Sequence, residues 1–243
     1  MLWFAVLMSA LFALGIAASA LYLVPGLFKK PLNRVLEVEL EDPVVVVSDI
    51  HNDCSLPPEF LNKIKEIKPK AVVFAGDLFD EAHKPVSVAT LKKMLEPKVM
   101  LLPDSVEKVV YVLSLASHDP IVRDEVIELE YSSRKVIVIK RCLKLSTNSL
   151  EVYITHGDIS CPNGALAHII NRLTSLIGVS LFLEKLLKRR LEDRCWLIMG
   201  HTHIPGICQE YRVANTGSWK EYYRRASKSF VLINGDRVQL IFA

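Results

Sequence analysis

Five short segments carry side chains of the kinds that bind divalent metals: Asp49-Ile50-His51, Gly76-Asp77-Leu78-Phe79-Asp80, Ser117-His118-Asp119, His156-Gly157-Asp158 and Gly200-His201-Thr202-His203. Carboxylate and neutral imidazole together suit borderline ions such as Mn, Fe, Zn, Co or Ni, whereas an all-oxygen set would suit Mg or Ca. The segments hold five of the seven histidines, which favours transition metals. Two ions sharing such a site lie roughly 3.5–4 Å apart, and a bridging carboxylate is the usual way to hold like charges that close. Asp77 is the expected bridge. Such a pair stabilises negative charge on phosphoryl oxygens and lowers the pKa of a bridging water that can act as nucleophile, so phosphate esters suit it.

Each segment follows an apolar run that reads as a buried strand: Val44 to Ser48, Ala71 to Ala75, Val109 to Leu115, Val152 to Thr155 and Trp196 to Met199. Strand ends are where α/β sheets keep their chemistry. One segment alone would decide little, because Asp and His after a strand often serve as turn or cap residues and Gly-Asp opens many helices. Two histidines at spacing two are more specific. Five segments in register point to one site.

In this order the segments resemble the calcineurin-like metallophosphoesterase superfamily, whose pattern is D-x-H, G-D-x-x-D, G-N-H-[DE], a later H and G-H-x-H. The match spans residues 44 to about 220. The resemblance implies an α/β fold of two mixed β-sheets in a sandwich flanked by helices, with the motif loops meeting at one edge. It implies two divalent ions, Mn being the expected activator. Asp49, His51 and His203 would hold the first ion, Asp77 would bridge, and His156 and His201 would hold the second. Ser117 stands where the family usually has an Asn ligand to that second ion. A hydroxyl is a shorter and poorer donor than an amide oxygen, so weak ligation, ligation through a water, and no ligation all stay open. His118 would contact the phosphate or protonate the leaving oxygen, general-acid work typically worth about 10²- to 10⁴-fold in rate. Asp119 would orient its ring, and Asp80 a ligand or the loop. Asn215 to Trp219 resembles a superfamily segment that supports the last loop.

The N-terminus is the second informative feature. Met1 to Phe28 contains no charged side chain, and Leu2 to Val24 can supply the roughly 20 apolar residues that cross a bilayer. Ala17 to Ala20 offers small residues suited to signal cleavage, but no basic n-region precedes the apolar stretch, which continues past Ala20. The expectation is an uncleaved transmembrane anchor over 1–28, a connector over 29–42, and a phosphoesterase domain over 43–243. Lys29, Lys30 and Arg34 all follow the span, so the positive-inside rule places the domain in the cytoplasm, on a single-pass membrane protein. Five cysteines cannot all pair within one chain.

Ala165 to Arg194 reads as a helical insertion over about 162–194, which Gly178 divides in two. Its basic end, beside apolar residues, reads as a solvated terminus on a core-packing helix; the functional alternative is a cap that lies on the membrane or receives acyl chains. His156 to Cys161 followed by this insertion also resembles, locally, the UDP-diacylglucosamine pyrophosphatase branch. A lipid-linked or nucleotide-linked phosphodiester or pyrophosphate is therefore expected over a phosphoprotein, cleaved by attack of a metal-bridging hydroxide. A net charge of +3 without aromatic interleaving argues against nucleic acid. The second expectation, from another class, is a membrane-anchored binding protein of the same fold that lost turnover through the Asn-to-Ser change.

Overall fold

Four consecutive valines, Val44–Val47, are all buried, and they show how the molecule is layered. Val44 and Val46 pack on one side with residues of a second sheet, while Val45 and Val47 pack on the other side against helices. A strand covered on both faces needs no polar alternation, which is why the strands before the motifs read as uninterrupted apolar runs.

The computed structural model describes residues 35–243 except 117, 133, 192–193 and 223–224. The expected anchor over 1–28 and Ser117 lie outside the described residues. Among those described, no helix is long and apolar enough to cross a membrane. The elements run β1 (Val35–Glu39), β2 (Val44–Val47), α1 (Pro58–Ile67), β3 (Ala71–Ala75), α2 (Val88–Met100), β4 (Lys108–Leu113), β5 (Val126–Tyr131), β6 (Arg134–Lys140), β7 (Cys142–Ser146), β8 (Glu151–Thr155), α3 (Gly164–Leu176), α4 (Phe182–Lys188), β9 (Trp196–Met199), β10 (Gly206–Cys208), β11 (Val213–Asn215), β12 (Ser229–Asn234) and β13 (Arg237–Phe242).

One sheet has the order β13-β12-β2-β3-β4-β6-β5 and the other β1-β7-β8-β9-β11-β10. Both are mixed, as expected. β2, β3 and β4 are parallel neighbours, and so are β8 and β9 in the facing sheet. Val73, Val110 and Val112 of one sheet and Leu143, Val152 and Ile198 of the other share the apolar layer between them. α1 and α2 cover the outer face of the larger sheet through Phe60, Ile64, Leu91 and Leu95. The five motif loops thus leave the carboxyl ends of five strands.

Part of the expected connector is a strand. Val35–Glu39 forms β1, paired in parallel with β7, and Leu36, Val38 and Leu40 pack on the layer between the sheets. Glu37 and Glu39 between them are the outward half of a two-residue alternation on an edge strand. The expected insertion contains α3 and α4, with Gly178 at φ +84° just beyond α3. Asn163 starts α3: its Oδ1 accepts the Leu166 N–H at 2.9 Å.

Candidate metal centre

β2 delivers Asp49 and His51, β3 delivers Asp77, β8 delivers His156, and β9 delivers His201 and His203, each within a few residues of the strand end. All six side chains are buried, His51 and His203 being the most accessible at 5% and 6%. Asp49, His51, Asp77, His118, His201 and His203 all have positive φ, between 49° and 67°. Non-glycine residues avoid this region at a cost on the order of 1–3 kcal/mol each. Clustering of six such residues at one sheet edge marks a place where function overrides backbone preference.

The atoms converge. His203 Nε2 lies 3.1 Å from Asp49 Oδ1, and His51 Nε2 lies 3.9 Å from that oxygen and 3.7 Å from Asp77 Oδ2. On the other side of Asp77, Oδ2 is 3.3 Å from His156 Nε2. His201 Nδ1 is 3.1 Å from His156 Nε2. At this centre, among the described residues, four buried atoms have no hydrogen-bond partner, namely Asp49 Oδ1, both ring nitrogens of His51, and Asp77 Oδ1. Buried polar atoms are seldom left so.

Tautomers sharpen the picture. His156 Nδ1–H donates to the Ala75 carbonyl at 3.0 Å, and His201 Nε2–H donates to the Cys161 carbonyl at 2.6 Å. A carbonyl only accepts, so the two neutral rings would face each other with lone pairs, a repulsive contact unless a cation or a proton lies between them. Two nitrogens on one ion at zinc-like bond lengths sit roughly 2.9–3.4 Å apart, which matches. The residues therefore fit two adjoining cation positions: Asp49, His51, Asp77 and His203 could hold one, and Asp77, His156 and His201 the other.

Electrostatics agree. Burial pushes His51 down to about 4, and burial with the neighbouring His156 also lowers His201, so both are neutral and ready to donate lone pairs near neutral pH. Burial opposes protonation of His156, but the Asp77 and Asp49 carboxylates overcome it and raise this ring well above its ordinary value. An ion taking up the second position must displace that proton, so affinity there rises with pH.

His118 lines the same cavity of about 270 Å³ as His51, Asp77, His201, His203 and Tyr222. Its Nδ1–H donates to the Asp80 carbonyl at 2.7 Å, leaving Nε2 as the nitrogen able to serve a substrate. The expected partner, Asp119, does something else. Its carboxylate accepts the backbone N–H groups of Asp77, Leu78 and Ser114 at 2.8–3.0 Å, so it shapes the Asp77 loop and does not orient the His118 ring. Burial and the adjacent Asp77 charge push Asp119 up to about 7. Asp80, expected to orient a ligand or the loop, places Oδ1 3.6 Å from His51 Nδ1. It is itself held by Lys220 and Tyr222, whose partnership across 140 residues of chain had no sequence signal.

Other residues outside the expected set position the loops. Asp158 Oδ2 accepts from Leu115 and Ala116 N–H, fixing the third motif to the fourth. Asn215, expected to support the last loop, does so by donating to the Gly200 carbonyl at 2.7 Å and to Glu184 Oε1 at 2.7 Å. His83, Lys84, Arg123 and Arg141 are not among the residues lining the cavity. His83 Nδ1–H instead donates to the Asp119 carbonyl.

Glu184, on α4, is the hub linking the helical insertion to the centre. Its oxygens accept from Asn171, Asn215 and Thr202, and it is fully buried. Glu184→Ala would strand those donors, at roughly 3 kcal/mol, or a Tm lower by about 6–12 °C. Burial raises Glu184 above its ordinary 4.5, with the Asn171 bond opposing. The folded state thus keeps a proton that the unfolded chain gives up, and stability falls as pH rises from the unfolded value through the folded one. Calorimetry between pH 4 and pH 7 checks this, since Glu184→Gln should remove that component of the fall.

Comparison with known proteins accords with the geometry. A family model described as the calcineurin-like phosphoesterase superfamily domain matches residues 43–237. Among solved structures, the chain is similar to Yfce, a phosphoesterase from E. coli, at 15% identity over 82% of this chain and 92% of that one, with a TM-score of 0.43. It is also similar to a conserved uncharacterised protein, a predicted phosphoesterase, from Streptococcus pneumoniae TIGR4, at 17% identity over 82% and 88% of the two chains and a TM-score of 0.35. At those scores neither likeness carries weight beside the family match. No curated protein matches the chain.

Proposed function

The chain belongs to the calcineurin-like phosphoesterase superfamily, and on that premise we propose that it cleaves a phosphodiester or pyrophosphate bond at a two-metal centre, on a lipid-linked or nucleotide-linked substrate at a membrane. Membership makes the chain a metal-dependent phosphoesterase; the proposal adds the number of ions, the class of bond and the location. The observation that carries it is the 3.1 Å approach of two oppositely tautomerised rings, His156 and His201, beside a carboxylate shared with His51.

Asp49, His51, Asp77 and His203 would hold the first ion and Asp77, His156 and His201 the second, with Mn the proposed metal and Ser117 at the remaining ligand position. When bound, such ions stabilise charge on the phosphoryl oxygens and lower the pKa of the attacking water. The chain supplies the rest. His118, entering the step as the imidazolium, would give its Nε2 proton to the leaving oxygen and return to the neutral tautomer whose Nδ1–H stays on the Asp80 carbonyl. Asn163, which caps α3, and its first residues Gly164 and Ala165 line the same cavity as the histidines.

The uncharged stretch over 1–28, followed by Lys29, Lys30 and Arg34, supports a single-pass anchor with the domain on the cytoplasmic side. The local resemblance of His156 to Cys161 to the UDP-diacylglucosamine pyrophosphatase branch supports a lipid-linked pyrophosphate. The test is turnover by the detergent-solubilised full chain, with Mn and then with chelator, of bis-p-nitrophenyl phosphate, a lipid pyrophosphate in micelles, and a phosphoserine peptide. Mn-dependent cleavage of the first two is expected. Cleavage of the peptide alone would overturn the bond class. No cleavage in any ion, with activity appearing in Ser117→Asn, would favour a binding protein.

A further inference from the structure

Four apolar side chains on α3 stand in the open. Ile169, Leu173, Leu176 and Ile177 are 51%, 59%, 75% and 79% exposed. Their spacing places them along one helical face, while Ala167 and Asn171 are buried on the opposite one. Single exposed apolar residues are ordinary; a contiguous stripe marks a contact surface.

Two observations say what covers it. The first is charge. Across residues 164–190 the acidic residue Glu184 is buried and hydrogen-bonded, so the exposed charges there, Arg172 and Arg189, are basic. An apolar stripe beside exposed basic residues suits an anionic lipid surface, which attracts such residues near its headgroups. The second is reach. Val35, the first described residue, lies on the edge strand β1 and packs on the same apolar cluster as Leu181 and Leu187 of the α4 segment, so chain entry and α4 share the outer face of the smaller sheet. Residues 29–34 separate Val35 from the uncharged segment and can span at most roughly 20 Å. A bilayer entered by residues 1–28 therefore lies within that distance of Val35, on the sheet face that α4 covers.

We infer that the Ile169–Ile177 face of α3 docks on the surface of an anionic lipid bilayer, laying the helix along the membrane with its first turn at the metal cavity. This rests on the proposed anchor and deepens the proposed substrate class. α3 is about 20 Å long, and Gly164 and Ala165 line the cavity. A lipid-linked phosphate thus meets the histidines at one end of the helix while its chains stay in the bilayer beside the other.

The test reconstitutes full-length Leu176→Trp and Ser175→Trp in phosphatidylcholine–phosphatidylglycerol vesicles and compares emission added over the parent, with and without acyl-brominated lipid. Both positions are exposed, but Ser175 is off the stripe. Docking predicts that bromolipid quenches the Leu176→Trp increment at least about twofold more, as burial by ~5–10 Å requires. Equal quenching at both positions overturns docking, as does a Leu176→Trp increment quenched by aqueous iodide instead of bromolipid. An increment protected from both quenchers also overturns it, and assigns the face to another copy or to the chain's own apolar segment. Hydrolysis of bis-p-nitrophenyl phosphate in the same vesicles reports the proposed function separately. Turnover without bromolipid quenching sinks the docking alone; quenching without turnover sinks the catalytic reading alone.

Discussion

Asp77→Asn is expected to lower kcat on bis-p-nitrophenyl phosphate by at least ~10³-fold, a barrier increase of about 4 kcal/mol. The substitution keeps the shape and removes the charge. Asp77 Oδ2 stands between His51 Nε2 and His156 Nε2, at 3.7 and 3.3 Å, and Oδ1 has no partner. A neutral amide cannot offset two adjoining dications, so bound metal should fall together with rate. Residues that merely orient ligands typically cost 10–100-fold when lost, so a drop of about that size would demote Asp77 from bridge to support. Metal analysis of the same sample separates the two cases.

Gly200→Ala should be nearly as damaging, by a different route. A Cβ at this position would collide with Ser48 Oγ and Asp49 Oδ2, both buried. The backbone cannot back away. Gly200 N–H donates to the His156 carbonyl at 3.0 Å, and its own carbonyl accepts from Asn215. Asp49 Oδ2 must then leave the His201 N–H it accepts at 3.0 Å, shifting the first cation position. Overpacking costs typically about 1–3 kcal/mol, and a displacement of ~1 Å at a catalytic group costs about 10²-fold in rate. The expected result is a lower Tm with kcat down on that order. Unchanged Tm and kcat would mean that the β2 and β9 loops are farther apart than described.

Much of the centre was legible because strand ends and chemistry coincide. The strands before Asp49, Asp77 and His201 are apolar and buried on every residue, the signature of strands covered on both faces, and the one before His156 is buried from Val152 to Thr155. What stayed hidden depends on partners distant in sequence. Asp119 sits beside His118, yet its hydrogen bonds run to backbone some 40 residues earlier. Glu184 carries no motif, and its burial goes with hydrogen bonds to Asn171 and Asn215, on either side of it in sequence. β1 falls within the stretch expected as a connector, and only pairing with β7 makes it a strand with Glu37 and Glu39 exposed. Lys220 and Tyr222, close after a loop-supporting segment, carry no motif, and their partner Asp80 lies some 140 residues earlier.

The account rests on two adjoining cation positions that share Asp77. Metal content per chain of the detergent-solubilised full-length protein, loaded with Mn and compared with His203→Ala and His156→Ala, tests this most directly. Two ions in the parent and about one in each variant, with hydrolysis of bis-p-nitrophenyl phosphate abolished in both, is the predicted result. One ion in the parent, lost only in one variant while the other keeps its activity, would contradict it.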